Sequence, residues 1–280
     1  MLFNQWHVLI VDDEPDVLAV SKLMLRNANV YGLPVKVHLA NSKADAIELL
    51  HNTFHLPGIP DGMLAVAVID VVMESDSAGL ELCQYIRKEM HNQSAQLFIR
   101  TGQPGMAPER TVIDNYDISG YFTKVEMTEQ KLYTFVKSGI RQWYSIFYAK
   151  LIADLTHAAI VHSTTKADLI NALEVTGETI DSEGKVSGLL FDDGTLLSEQ
   201  PPQAFNDLLA ELSRFEPTFR TPEGHTLTVD KNRLLVQIQE TATTSKFAYA
   251  IDGWMEMPEA LLDITFKNGL ALSTLWKRAR

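Results

Sequence analysis

Along the first 125 residues, short apolar runs stop abruptly at polar side chains. HVLIV (7–11) ends in Asp12, Asp13 and Glu14, and LAVAVID (64–70) is apolar except for its last residue, Asp70. VKVHLA (35–40), QLFIRT (96–101) and GYFTK (120–124) behave alike, the last two ending at Thr101 and Lys124. Runs without alternation predict strands covered on both faces, as in the middle of a parallel sheet. Helical spacing fills the gaps. Val17, Val20 and Met24 form a stripe after Pro15, and Ala46, Ile47 and Leu50 follow the capping box Ser42-x-x-Asp45. Leu82, Cys83, Ile86 and Met90 form a third stripe, and Val112, Ile113 and Tyr116 a fourth, after Pro108. The loop 51–62 holds Pro57, Gly58, Pro60 and Gly62 and reads as a surface connection. Five strands alternating with helices predict a doubly wound α/β domain on a five-stranded parallel sheet.

Past residue 128 the pattern changes. Leu132, Val136, Ile140, Trp143, Phe147, Leu151, Leu155 and Ala158 fall on one side of a helix that Thr128 can cap. Their spacing is close to the natural period of a straight helix. This aromatic seam predicts burial either on a second domain or on its twin in a homodimer. VSGLLF (186–191), Asp193-Gly194 and TLL read as a hairpin, and Phe205, Leu208, Leu209, Leu212 and Phe215 as an amphipathic helix after Pro201-Pro202. TLTV (226–229), RLLVQI (233–238) and KFAYAI (246–251) read as strands, and 258–278 as a last helix that must be held by packing despite Gly269. The expected organisation is a first domain over 1–127, a long connecting helix over 128–172, and an α+β sensor-like or interaction domain over 173–280. The last is similar in layout to GAF or PAS modules, an analogy of layout alone.

Composition narrows the classes. A chain of 280 residues with 46% hydrophobic content suits two packed domains. The net charge of -12 is shared evenly between the halves, with no basic face, which argues against nucleic acid as a partner. One cysteine, Cys83, excludes an intrachain disulfide and reads as core. No apolar run approaches the roughly 20 residues that span a bilayer, so the expectation is a cytoplasmic protein without membrane insertion.

The candidate chemistry lies at the carboxyl ends of the strands, where parallel sheets place polar work. Asp12, Asp13, Asp70, Thr101 and Lys124 share that edge. Three neighbouring carboxylates repel unless a cation relieves them, and hard oxygen ligands suit Mg²⁺. A lysine and a magnesium-bound carboxylate together favour phosphoryl transfer, with an aspartate oxygen attacking phosphorus.

The motifs VLIVDDE (8–14), IDVVM (69–73), the Thr101 strand end and Tyr121-x-x-Lys124 resemble the receiver domain of two-component response regulators, over about residues 6–140. That resemblance implies a flavodoxin-like fold with Asp70 as phosphoacceptor. It implies Mg²⁺ on Asp13, Asp70 and the backbone carbonyl of Val72, with Asp12 acting largely through water. Thr101 and Lys124 would bind the phosphoryl group, and Tyr121 would swing inward as Thr101 moves. FIRTGQPGMAPER and DNYDISGYFTKVEMTEQKL are similar to regulators whose receiver precedes a domain of unknown function, often linked to cyclic-dinucleotide phosphodiesterases.

Two residues depart from the receiver pattern. Val125 stands where receivers carry a proline joined by a cis bond, so either the bond is trans and Lys124 approaches differently, or the site bears strain. Arg100, just before Thr101, is either an added phosphate ligand or a solvated side chain. Other motifs count for little. In Phe191-Asp192-Asp193-Gly194-Thr195 the aspartates are adjacent, which favours a turn over a phosphatase loop. Leu155-Thr156-His157 lacks the acidic neighbour of a phosphohistidine, and no glutamate flanks His51 for a zinc pair with His55.

The expectation is a response regulator phosphorylated on Asp70 by a histidine kinase or phosphotransfer protein, acting on a downstream protein partner, with no enzymatic output of its own. The alternatives are a ligand-sensing module with the receiver as docking platform, or an aspartate-based phosphatase.

Overall fold

A computed structural model of the chain describes residues 4–54, 62–102, 109–172, 187–191, 194–197, 202–231, 233–241, 244–252 and 259–279. The chain divides into two compact units, Asn4–Phe147 and the region from Tyr148 to Arg280. The expectations for Pro57, Gly58, Pro60, Pro108, Asp192, Asp193 and Pro201, and for the side chains of Val112 and Leu155, lie outside the described residues. Among those described, no helix is long and apolar enough to cross a membrane.

The first unit is built as its apolar runs predict. Strands β1 (Trp6–Val11), β3 (Leu33–Ala40), β4 (Leu64–Asp70), β5 (Gln96–Thr101) and β6 (Gly120–Thr123) form a parallel sheet in the order β3-β1-β4-β5-β6. Two-residue β2 (Asn29–Val30) adds an antiparallel edge on β3. Counting the parallel strands alone gives 2-1-3-4-5, the flavodoxin-like order of a doubly wound fold. Every residue of β4 is buried, as a central parallel strand requires.

Helices α1 (Pro15–Met24), α2 (Lys43–Asn52), α3 (Ala78–Gln84) and α4 (Glu109–Tyr116) join the strands, and a π-helical turn, Tyr85–Glu89, continues α3. Ser42 caps α2 by accepting from the Asp45 N–H at 3.1 Å. Arg87 is buried and donates to the carbonyls of Asn92, Ala95 and Asp117, closing the exit from the π turn. Gly79 is obligatory: a Cβ there would stand 1.8 Å from the Asp70 carbonyl oxygen, so α3 rests directly on the end of β4. Cys83 is buried in the core beneath that helix.

Helix α1 corrects the predicted stripe. It buries Leu18 and Ser21, whereas Val20 is 49% exposed. The face that goes inward carries Leu18 and Ser21, and the Ser21 hydroxyl accepts from Arg100 at 2.8 Å.

The long helix exists as α5 (Glu129–His162), capped by Thr128, whose hydroxyl accepts from the Lys131 N–H at 3.2 Å. Leu132, Val136, Ile140 and Trp143 are buried, and a Cβ on Gly139 would meet Val66 at 2.7 Å. Trp143 stands edge-on to Trp6, 6.1 Å between rings, and Tyr144 packs on Trp6 and Tyr31. This part of the seam is therefore covered by the sheet of its own unit, a covering the sequence pattern alone does not single out.

In the second unit, β7 (Ser187–Leu190), β8 (Leu196–Leu197), β9 (Phe219–Arg220), β10 (Thr226–Asp230), β11 (Arg233–Thr241) and β12 (Thr244–Asp252) form an antiparallel sheet. Its order is β8-β7-β12-β11-β10-β9. The predicted hairpin is present, with Gly194 at φ +83°. Helix α6 (Pro202–Leu212) packs Phe205, Leu208 and Leu212 with Leu235, Ala248 and Ala250. Helix α7 (Glu259–Arg278) packs Phe266, Leu272 and Trp276 with Leu234, Val236 and Phe247. Gly269 sits where α7 touches β11, since a Cβ would lie 2.9 Å from Val236.

Candidate functional site

The carboxyl ends of β1, β4 and β5 lie side by side. Val11 pairs with Ile69 and Asp70 with Arg100, which sets Asp12, Asp70 and Arg100 in one row across three strands. Alternation aims their side chains to one face. Asp12 and Asp70 are buried, and Asp13 and Glu14 stand exposed at the rim. Ligand oxygens of Asp12, Asp13, Glu14 and Asp70 all come within 4.8 Å of one another.

Lys124 reaches into this cluster from beyond β6. Its Nζ lies 2.7 Å from Asp70, 3.1 Å from Asp12 and 2.6 Å from Glu14. The Lys124–Val125 bond is trans, and Lys124 opens a 3-10 turn, Lys124–Glu126, while Val125 is 93% exposed. Without proline the strand end therefore still delivers its ammonium to Asp70.

Arg100 is neither solvated nor at the phosphate rim. It is buried, with Nη2 at 3.0 Å from Asp12 and Nη1 donating to Ser21. Asp12 also accepts from the Glu14 N–H at 3.0 Å. Both expectations for Arg100 are replaced by a third: it is the buried counter-ion of Asp12. A position inside an apolar run signalled burial, but the partner lies 88 residues away in sequence. Glu14 is a second residue missed, although its place directly after Asp12-Asp13 was a visible cue.

Thr101 is buried at the end of β5, directly after Arg100. Tyr121 is partly buried and packs on the core, paired in register with Ile99. Val72 follows two residues after Asp70, partly buried. The structure thus brings Asp12, Asp13, Asp70 and Lys124 together, with Thr101 and Tyr121 on the neighbouring strands.

Electrostatics follow from this packing. Burial raises the Asp70 carboxyl above its ordinary pKa; the Lys124 hydrogen bond opposes this and the Asp12 charge adds to it. Burial alone would lower the Lys124 ammonium, but hydrogen bonds to Asp70, Glu14 and Asp12 together raise it. The Lys124 hydrogen bond also holds Glu14 below the usual carboxylate range. Four carboxylates face two cations, which leaves a formal charge of -2. One divalent ion balances that. Asp70 Oδ1 is buried with no hydrogen-bond partner among the described residues. An orphaned carboxylate oxygen in an all-oxygen cluster is the donor set a hard divalent cation requires, so the residues fit such an ion.

No family model matches the chain. It is 36% identical over 138 residues to the 3'3'-cGAMP-specific phosphodiesterase 2 of Vibrio cholerae, a match covering 49% of this chain. The matched part is about a quarter of the length of that relative. Among solved structures, the signal receiver domain of an HD domain-containing protein from Pseudomonas fluorescens Pf-5 is similar, at 18% identity and a TM-score of 0.41. That likeness covers 50% of this chain and 98% of that one. A CheY-like response regulator receiver domain protein from Methanospirillum hungatei JF-1 gives 18% identity and a TM-score of 0.39, covering 51% and 99%.

The match to a phosphodiesterase overturns one expectation. A chain related at this level to a cyclic-dinucleotide enzyme is not to be read as lacking enzymatic output merely because its own motifs show none. The same match bears out the expected kinship with cyclic-dinucleotide-linked proteins. With the 2-1-3-4-5 strand order and the acid pocket at its carboxyl edge, the N-terminal half has a receiver-like, flavodoxin-type fold.

Proposed function

We propose that Asp70 accepts a phosphoryl group from a histidine kinase or phosphotransfer protein, and that the resulting charge is the input the rest of the chain reads. The observation that carries this is Lys124 at 2.7 Å from Asp70 inside a cluster of three further carboxylates. An Asp70 oxygen attacks phosphorus, the P–N bond of the donor phosphohistidine breaks, and the imidazole nitrogen keeps the electron pair. Lys124 then exchanges its ion pair with Asp70 for one with a phosphoryl oxygen. The Thr101 hydroxyl donates to another, and Tyr121 turns inward as Thr101 moves. Asp13, Asp70 and the Val72 carbonyl would hold Mg²⁺, with Asp12 acting through water. Bound there, the ion neutralises charge on the transferred group.

The change reaches the second unit through α5, the one helix that belongs to both. The second unit serves as the interaction domain for the output. By the relation to the Vibrio cholerae enzyme, that output is hydrolysis of a cyclic dinucleotide, set by the state of Asp70.

Beryllofluoride with Mg²⁺ tests the reading. Wild type takes up one equivalent and Asp70→Asn none. Equal uptake by the two rejects Asp70 as the acceptor.

A further inference from the structure

Resting on the phosphoacceptor reading, we infer that Arg100 is a positioning residue that fixes the charge of the metal pocket by keeping Asp12 from ligating the cation directly. Three features converge on it. Arg100 is buried and carries its charge next to Asp70, its partner in register. Its guanidinium is anchored at both ends, by Asp12 at 3.0 Å and by Ser21 of α1 at 2.8 Å. The Asp12 oxygens are further committed to Lys124 and to the Glu14 N–H.

Asp12 is thus the most engaged of the four carboxylates, and Asp70 Oδ1 is the orphaned oxygen. The cation falls to Asp70, Asp13 and the Val72 carbonyl, and Asp12, acting on it only through water, serves as the anchor for Lys124. When Lys124 turns to a phosphoryl group, Arg100 remains as the counter-ion that keeps Asp12 from following it. A buried arginine suits this role because it stays charged at any working pH and presents a rigid fork.

Wild type holds a formal -2, Arg100→Met -3, Asp12→Asn -1, and the double variant -2 again. Divalent affinity should follow that order. The test is calorimetric titration of the full chain with Mn²⁺, alongside melting temperature. Arg100→Met should bind at least about fivefold tighter than wild type, and Asp12→Asn about fivefold weaker. Asp12→Asn/Arg100→Met should return to within about twofold of wild type. Arg100→Lys keeps the charge and should also match wild type.

A merely structural arginine predicts the reverse: weaker binding in Arg100→Met and weaker still in the double variant. Either result overturns the inference. If Arg100→Met does not fold, the double variant still decides, since it leaves no buried charge alone. Affinity near wild type supports the role, and affinity at the Asp12→Asn level overturns it. Failure of the two readings is distinguishable. A wild type that binds neither Mn²⁺ nor beryllofluoride rejects the phosphoacceptor and this inference together. A wild type that binds both, with variants out of order, rejects this inference alone.

Discussion

The two ends of the parallel sheet surround their buried titratable groups with opposite kinds of neighbour. At the carboxyl end Asp12, Asp70, Arg100 and Lys124 each lie within about 3 Å of a group of opposite sign. Nearer the amino end His7 Nδ1 lies 3.0 Å from His38 Nε2, the rings stack, and Phe54 stands edge-on to both. There the neighbours that act, Lys36 on both rings and His7 on His38, are of like sign. Burial, and then Lys36, push the His7 imidazole down; burial, and then His7 and Lys36, push His38 down to about 4. Burial resists charge at both ends. The neighbours set how far it prevails: the carboxylate partners of Lys124 outweigh it, Lys124 only opposes it at Asp70, and at the histidines the like-signed neighbours add to it.

Four changes would break or sharpen this contrast. The largest effect belongs to Gly79→Ala, which forces a methyl against the Asp70 carbonyl. We expect a loss of about 3 kcal/mol in denaturant unfolding and loss of beryllofluoride uptake. Arg87→Met comes next, since it strips donors from three carbonyls. It should cost about 2–3 kcal/mol of stability yet leave Mn²⁺ affinity unchanged, separating a buried arginine that serves backbone from one that serves a carboxylate. Lys124→Met should weaken beryllofluoride binding by about 2 kcal/mol, a factor of about 30, measured by fluorescence titration.

The smallest effect is at the histidine pair. His38 resists protonation in the fold, so the unfolded chain binds more protons between pH 6.5 and about 4. Stability is therefore lost as pH falls through that window, by about 1 kcal/mol after solvent screening of a half-buried ring. Melting at pH 7.5 and 4.5 should show wild type losing more than His38→Phe. An equal loss removes the histidines from the account.

Much of the first unit was legible because its signals are local. Apolar runs that do not alternate, each ending in a polar residue, fixed both the sheet and the edge that carries Asp12, Asp70, Thr101 and Lys124. What was not legible depended on pairs distant in sequence. Arg100 could be seen to be odd, but only its contact with Asp12 and Ser21 reveals it as a counter-ion, and Ser21 lies on the face of α1 that the predicted stripe left out. The seam of α5 is apolar in sequence whether it faces a twin, a second domain or its own sheet; Gly139 against Val66 decides. In the second unit the hairpin and strands could be read singly, whereas the pairing of β7 with β12 joins residues about 60 apart. The two-residue strands β2 and β9 are too short to carry a period.

Cys83 has a use that its burial confers. It is the sole thiol of the chain, and desolvation pushes its ionisation up to about 12, so neither access nor thiolate is available while the core is closed. Alkylation must then wait for the N-terminal half to open. The labelling rate becomes a clock for that opening alone, and comparing it with and without beryllofluoride would time how firmly an occupied Asp70 shuts the helix that rests on its strand.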